Sequence, residues 1–291
     1  MGYSAGKPAN GTKRVVVFAL DGVRVDVLRQ ARTPVIDELA SNGCFLTFDF
    51  DGGTRAISGP GWSTVATGVV PARHGVIDND FSSYRFDEWP DIFTRLAQVD
   101  ARARTYVGGG WAPLLRDDCG GPLFRHVWRG FMADVSAEAG TRDDQVMKDA
   151  GAVLGQDDVR AAFVYFEDPD AVAHSLGTGV PYREAIESTD RRVGYVLDAV
   201  RARPRLQDEI WTVIALTDHG HRDGGGHGSP VAEAPEVERR CWLAATGPRM
   251  GGCRRRVSHA DVAVEVLLGA GVEVREEWAL DGRGFGRNGN A

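Results

Sequence analysis

Thr217-Asp218-His219-Gly220, followed by Gly224-Gly225-Gly226-His227-Gly228, gathers side chains of the kind that hold metal ions. A carboxylate and an imidazole are adjacent, and a second imidazole follows eight residues after the first. The intervening glycines let a backbone fold closely around an ion at little steric cost. Residues 211–216 lead directly into this stretch. They are apolar and rich in β-branched side chains, which predicts a buried parallel strand. Asp218 and His219 then fall at the strand's carboxyl end, where open α/β sheets place their ligands.

Three further places carry ligand-type residues in the same kind of position. Asp21 follows the apolar run 15–20, where an aspartate can equally be a turn or capping residue. Ser58-Gly59-Pro60-Gly61-Trp62 enters a predicted helix. A serine there is either a cap or a nucleophile, since the free amides and the helix dipole attract an anion. Asp170 and His174 follow the strand predicted at 161–166. Their four-residue offset puts carboxylate and imidazole on one helical face, within reach of one cation. Each could also be an ordinary surface residue. Asp168 crowds Asp170 and is a decoy for the same role.

Taken together, Asp21, Asp170 and Asp218 with His174, His219, His227 and Ser58 could share one end of a parallel sheet. The three carboxylates and an ionised Ser58 would balance two divalent cations, while neutral imidazoles add no charge. Mixed nitrogen and oxygen donors suit Zn²⁺, with Mn²⁺ or Fe as alternatives, and suit Ca²⁺ or Mg²⁺ poorly. Two such ions clamp the attacking and leaving oxygens of a displacement at phosphorus and lower the pKa of a bound hydroxyl.

The elements that would position these residues alternate between strand and helix. Strands are predicted at 15–20, 45–50, 103–107, 161–166, 211–216 and 241–246. Helices are predicted at 60–67, 91–98, 143–154, 182–203 and 258–268, with a further one opened by Thr33-Pro34 and stopped by Gly43. Thr33 is the expected N-cap of that helix, and Ser258 with Asp261 forms a capping signature. The pattern implies an α/β three-layer sandwich, a mainly parallel central sheet with helices on both faces. Residues 1–12 read as a disordered leader. Residues 13–291 read as a single domain, with 108–142 as a small irregular embellishment near the site.

Composition bounds the partners. The 291-residue chain is 43% hydrophobic, with a formal charge of −7. That acidic balance argues against duplex nucleic acid or an anionic membrane as partner. No apolar run reaches the length of a membrane span. The first residues lack a secretory signal, so the expected location is cytoplasmic. Cys44, Cys119, Cys241 and Cys253 lack metal-site spacing and are expected to be reduced thiols.

In their order, these residues resemble the alkaline phosphatase superfamily, closest to its type I phosphodiesterase/nucleotide pyrophosphatase branch. The motifs are Leu20-Asp21-Gly22, Ser58-Gly59-Pro60 before Thr67-Gly68, His74-Gly75 with Asn79, Pro169-Asp170 with His174 and Gly177, Thr217-Asp218-His219-Gly220, and His227-Gly228. A tail through Leu280-Asp281-Gly282-Arg283 is similar to the family's closing helix and strand. The resemblance implies Ser58 as nucleophile. One metal would be held by Asp21, Asp218 and His219, the other by Asp170, His174 and His227. Asn79 and the Gly59 amide would steady phosphoryl oxygens. It implies a small phosphate ester as substrate.

The chain departs from the family in three respects: serine where threonine is usual, a short interval from His219 to His227, and missing cap insertions. These leave phosphodiester or pyrophosphate cleavage, phosphomonoester hydrolysis and phosphonate hydrolysis all open. Trp62, Phe81, Tyr84 and Trp111 would favour a diester by forming an apolar wall. Thr54, Arg55 and Arg222 lie close enough in sequence to touch substrate oxygens, and a cation there would favour a monoester. Sulfatase chemistry is disfavoured, because Ser58 lacks the arginine two residues after the proline. A non-catalytic binding protein of the same fold is the alternative of another class.

Overall fold

A computed structural model describes residues 11–50, 54–118, 120–253 and 256–287. One sheet of seven strands runs through it, in the order β2-β7-β6-β1-β5-β3-β4. The strands are β1 (Thr12–Leu20), β2 (Cys44–Asp49), β3 (Arg104–Gly109), β4 (Arg129–Met132), β5 (Val159–Phe166), β6 (Glu209–Leu216) and β7 (Arg240–Thr246). β1 lies at the centre, parallel to β5 and β6. Val15, Val17 and Ala19 face one core, and Val16, Phe18 and Leu20 face the other. A strand covered on both faces must be apolar on both, which is why this run showed no alternation in sequence.

The principal helices are α1 (Pro34–Ser41), α2 (Ser58–Thr67), α3 (Ile92–Val99), α4 (Ala139–Gln156), α5 (Asp168–Leu176), α6 (Val180–Arg201) and α7 (His259–Gly269). α2, α3 and α7 pack with the first core, through Trp62, Phe93 and Val266 among others. α1, α4 and α6 cover the second, through Leu39, Val146 and Val193. The expected sandwich of helices on both faces of a mainly parallel sheet is therefore the observed one.

Several local expectations are corrected. Thr12, expected in the leader, already belongs to β1; residues 1–10 lie outside the described residues. β7 runs antiparallel to β6, and β2 antiparallel to β7. Within 108–142, residues 129–132 form β4 and extend the sheet in parallel from β3. Thr33 does not cap α1 with its side chain. Asp190 of α6 does so instead, accepting from Val35 N at 3.2 Å and Ile36 N at 2.9 Å. No strand closes the tail among the described residues. Its amides bond to neighbouring helix termini and side chains, as when Asp281 N donates to Gly68 O at 2.9 Å and Gly286 N to Glu265 at 3.1 Å. The cysteines are not all reduced: Cys44 and Cys253 form a disulfide across 209 residues, and Cys241 is a buried free thiol. Cys119 lies outside the described residues.

His259, the first residue of α7, packs edge-on against Phe48 and Phe50, with ring centroids 4.9 and 5.3 Å away. Burial pushes its pKa down to about 4. In the unfolded chain a histidine titrates near ~6.5. The stability this difference supplies is therefore complete above the unfolded value and is lost as pH falls towards the folded one, by about 3 kcal/mol. Urea unfolding at pH 7 and pH 4.5 should show a smaller acid loss in His259→Phe than in wild type. Equal losses in the two proteins would exclude this origin.

Candidate metal centre and active site

The carboxyl ends of three neighbouring strands supply the site. Asp21 follows β1, Asp218 and His219 follow β6, and α5 after β5 carries Asp170 and His174. Gly22 makes the turn after Asp21 with φ +65°, a conformation that suits glycine. A Cβ there would stand 2.6 Å from His221 Nε2 and 2.7 Å from Asp170 Oδ1. Bare backbone is thus what lets β1 approach the loops after β5 and β6.

Asp21 is fully buried and its two oxygens have different neighbours. Oδ2 accepts from Trp62 Nε1 at 3.1 Å and from the Tyr165 hydroxyl. Oδ1 lies 3.4 Å from Ser58 Oγ and 3.3 Å from His219 Nε2. Ser58 Oγ is also 3.4 Å from His219 Nε2. The first turn of α2 therefore delivers the hydroxyl between a carboxylate and an imidazole. Gly61, in the same turn, has room for no side chain: a Cβ would sit 2.9 Å from Asp218 Cβ.

Donor atoms of Asp21, Asp218 and His219 all lie within 4.8 Å of one another. Asp218 Oδ1 accepts from Gly22 N at 3.3 Å, whereas Oδ2 is buried without a hydrogen-bond partner among the described residues. Burial pushes the Asp21 carboxyl up to about 7, and Asp170 adds to the rise. Burial also raises Asp218 well above the carboxylate range, with Asp21 and Asp170 contributing. Burial drives His219 well below its ordinary value, so its imidazole is neutral. Buried oxygens short of positive charge beside a neutral imidazole make a donor set that fits a divalent cation.

A second group adjoins the first. Donor atoms of Asp170, His219, His221 and His227 also lie within 4.8 Å of one another. His227 Nε2 is 3.4 Å from Asp170 Oδ1, and His174 Nε2 is 3.5 Å from Oδ2 and 2.9 Å from His227 Nε2. Burial would raise the Asp170 carboxyl, but hydrogen bonds from His221 and His227 outweigh it and hold the group below its ordinary range. His174 is exposed, so this group opens towards solvent. Nδ1 of His219 contacts Gly220 O at 3.0 Å and Nδ1 of His227 contacts Ala56 O at 3.1 Å, which leaves both Nε2 atoms facing the carboxylates.

All seven side chains expected to bind metal thus meet in one cluster. Asp168 pairs with Arg192 at 2.9 Å. Asn79 and Gly59 are at the site but bonded to each other, since Gly59 N donates to Asn79 Oδ1 at 2.6 Å. The Gly59 amide is therefore occupied, and Asn79 retains its NH₂ group as a donor. Thr54 uses its backbone carbonyl to accept from Val231 N at 2.8 Å, and its hydroxyl has no partner among the described residues. Arg222 donates to Ser229 Oγ at 3.0 Å, and Arg55 to Gly228 O at 3.3 Å.

The aromatic residues divide differently from expectation. Trp62 and Phe81 are buried and cannot form an open wall. Tyr84 lies beside Arg125, 5.8 Å from its ring. Trp111 is partly exposed and stacks on Tyr165, with centroids 6.0 Å apart. Sequence reasoning missed His221, Tyr165 and Glu238. Glu238 is buried and holds the glycine loop, accepting from Ser229 N at 2.6 Å and Ser229 Oγ at 3.0 Å. His221 stands two residues beyond His219, so its position in the motif was the available signal.

A mainly parallel sheet with carboxylates and imidazoles converging at the ends of its central strands places the protein in the alkaline phosphatase superfamily. More narrowly, the chain belongs to the type I phosphodiesterase/nucleotide pyrophosphatase family, whose sequence model matches residues 15–95 and 91–232. It is similar to an uncharacterized pyrophosphatase/phosphodiesterase of Schizosaccharomyces pombe, with 23% identity over 239 residues, 72% of this chain and 46% of that protein. Similarity to human ectonucleotide pyrophosphatase/phosphodiesterase family member 5 is 21% over 235 residues, covering 72% and 45%. The chain spans about half the length of these curated relatives. Among solved structures, murine ectonucleotide pyrophosphatase/phosphodiesterase 5 superposes with a TM-score of 0.67 at 16% identity, covering 94% of this chain and 97% of that one. An inactive variant of the murine protein has been solved in complex with AMP. The 2-O GAG sulfatase BT1596 shares the fold with a TM-score of 0.67 at 14% identity, covering 94% and 73%.

A donor set of this kind should bind a divalent ion and be stabilised by it. An ion at one hundred times its Kd adds about 2.7 kcal/mol per site. Metal-stripped protein should therefore melt at a higher temperature once Zn²⁺ is added, and Asp218→Asn should lose most of that gain. An unchanged melting temperature in wild type would count against a metal centre.

Proposed function

We propose that this chain hydrolyses phosphodiester or nucleotide pyrophosphate bonds, with Ser58 as nucleophile. The position of Ser58 carries the reading: its hydroxyl lies 3.4 Å from both Asp21 Oδ1 and His219 Nε2 at the mouth of a helix. Among the described residues, the Thr54 hydroxyl has no hydrogen-bond partner.

Asp21, Asp218, His219 and the Ser58 oxygen would hold one ion, and Asp170, His174 and His227 a second. Neutral imidazoles with carboxylates fit Zn²⁺, with Mn²⁺ or Fe as alternatives. Bound ions of this kind would favour ionisation of the serine and offset negative charge on the oxygens of phosphorus. Ser58 Oγ forms the new bond to phosphorus as the bond to the leaving oxygen breaks. Water then cleaves the resulting phosphoserine ester and restores the hydroxyl. Asn79, held through its Oδ1 by Gly59, keeps its NH₂ group to donate to a phosphoryl oxygen.

Two observations favour a diester over a monoester. Arg222 and Arg55 are engaged with the glycine loop rather than offered to a second anionic oxygen. Trp111 provides a partly exposed aromatic face on Tyr165, whose hydroxyl bonds Asp21. The AMP complex of the murine relative supports a nucleotide-sized guest. Ser58 is followed by Gly59-Pro60-Gly61-Trp62, without the arginine expected of a sulfatase nucleophile motif.

Ser58→Ala should lower kcat by ~10²–10⁶ while still binding metal. Near-normal turnover in that variant would place the nucleophile elsewhere. EDTA should abolish hydrolysis of bis-p-nitrophenyl phosphate, and Zn²⁺ or Mn²⁺ should restore it. Full activity in metal-free protein, or no activity on any phosphorus ester in metal-loaded protein, would exclude the reading. Trp111→Ala should raise KM for a nucleotide-type diester and leave p-nitrophenyl phosphate nearly unaffected. An equal effect on both substrates would remove Trp111 from the specificity argument.

A further inference from the structure

His74 is completely buried and takes no part in the chemistry proposed above, although it stands five residues before Asn79. It closes a short helical turn, Pro71–His74, that follows α2. Its two ring nitrogens face different elements. Nδ1 lies 3.1 Å from Val76 N, in the loop that leads to Asn79, and Nε2 lies 3.1 Å from Thr64 Oγ1, on α2. We infer that His74 is a positioning residue: it ties the loop bearing Asn79 to the helix bearing Ser58, so that the NH₂ group offered to a phosphoryl oxygen keeps its place relative to the nucleophile. This deepens the functional reading above and rests on it.

The neighbours of the ring fix where its proton sits. A backbone N–H can only donate, so Nδ1 accepts from Val76 N and carries no proton. The neutral ring then holds its proton on Nε2 and donates to Thr64 Oγ1, whose own hydroxyl donates to Pro60 O at 2.8 Å. Burial pushes the His74 pKa down to about 3, with Arg85 adding to the fall, so the ring is neutral at neutral pH. The donors therefore run one way, from Val76 through His74 and Thr64 to Pro60, in the same turn as Ser58.

The loop is also fastened at Asn79 itself and beyond it. Gly59 N donates to Asn79 Oδ1 at 2.6 Å, and a Cβ on Gly59 would stand 2.7 Å from Asp78 O, so this approach needs bare backbone. Past Asn79 the chain turns at Phe81 with φ +53°, a conformation that a bulky residue keeps only where its surroundings impose it. The buried Phe81 ring packs against Phe86 and Trp111, with centroids 6.3 and 5.7 Å away. Asn79 is thus held at Gly59, at Phe81 and, through Val76, at His74. Of these three ties, the one through His74 can be cut at Thr64 without altering the loop.

The test is a double-mutant cycle on the full chain with Zn²⁺ added, reading melting temperature together with kcat and KM for bis-p-nitrophenyl phosphate. Thr64→Val leaves the His74 Nε2–H without its acceptor. It should lower kcat by ~10–10²-fold with KM within about threefold of wild type, and Thr64→Ser should restore kcat to within about threefold. Asn79→Ala should lower kcat by ~10²-fold or more. In the Asn79→Ala background, Thr64→Val should cost less than about threefold in kcat, because the group it misplaces is gone, yet lower the melting temperature as much as it does alone. An undiminished kcat loss from Thr64→Val in that background would overturn the positioning role and leave the functional reading standing. So would Thr64→Val that turns over like wild type. Asn79→Ala that turns over like wild type would remove Asn79 from the functional reading, and this role with it. If Thr64→Val does not fold, His74→Gln, which keeps a donor for Thr64 but loses the acceptor for Val76 N, takes its place in the cycle with the same expected outcomes.

Discussion

Two carboxylates, Asp21 and Asp218, are buried at the ends of neighbouring parallel strands with one imidazole between them. Everything near them can be understood as a response to that placement. Removing two like charges from water is costly unless opposite charge or hydrogen bonds compensate. The protein supplies only part of the compensation. Trp62 and Tyr165 donate to one oxygen of Asp21, and Gly22 donates to one oxygen of Asp218. No arginine or lysine pairs with either residue among the described ion pairs. What remains is a concentration of negative potential aimed at Ser58 and His219.

The sheet makes this placement possible and sets its precision. β1 pairs with β5 and β6 in continuous register, so Asp21 and the loops after Phe166 and Leu216 emerge at one edge. Helix α2 then approaches from the first-core side, with glycine at the contact with Asp218. Side chains mounted on strand ends and helix starts move less than side chains on free loops. The exception is the glycine stretch bearing His227. Glu238 fastens it, at the turn that leads into the antiparallel strand β7.

Much of the fold could be read from sequence because its determinants are local. The runs ending at Leu20, Phe166 and Leu216 are apolar on both faces, as central parallel strands must be. The ligand residues could be read because each directly follows such a run. What could not be read depends on partners far apart in the chain. Tyr165 reads as one more core aromatic in β5, yet its hydroxyl reaches Asp21 from 144 positions away. Trp62 reads as a substrate-facing ring, yet its indole N–H is committed to the same carboxylate. Thr33 has the sequence of an N-cap but gives way to Asp190, which reaches in from another helix. The direction of β7 and the pairing of Cys44 with Cys253 likewise depend on where the chain returns, and no short window of sequence records that.

The loop between His219 and His227 works as a ruler. It closes on itself, with Arg222 N donating to Gly226 O at 3.0 Å and Gly225 N to Arg222 O at 2.9 Å. Its far end returns the His227 ring to stack on His219, with centroids 3.9 Å apart and planes 25° from parallel. The separation of these two imidazoles is therefore set by the number of residues between them. A longer connection would have to bulge outward without moving either end, and Glu238 grips the segment just beyond His227. In this chain, where the interval is short, that loop has little slack to take up substrate-recognition elements. New recognition elements can be grafted more freely around Trp111, where the chain is irregular and no side chain of the candidate metal centre depends on its length.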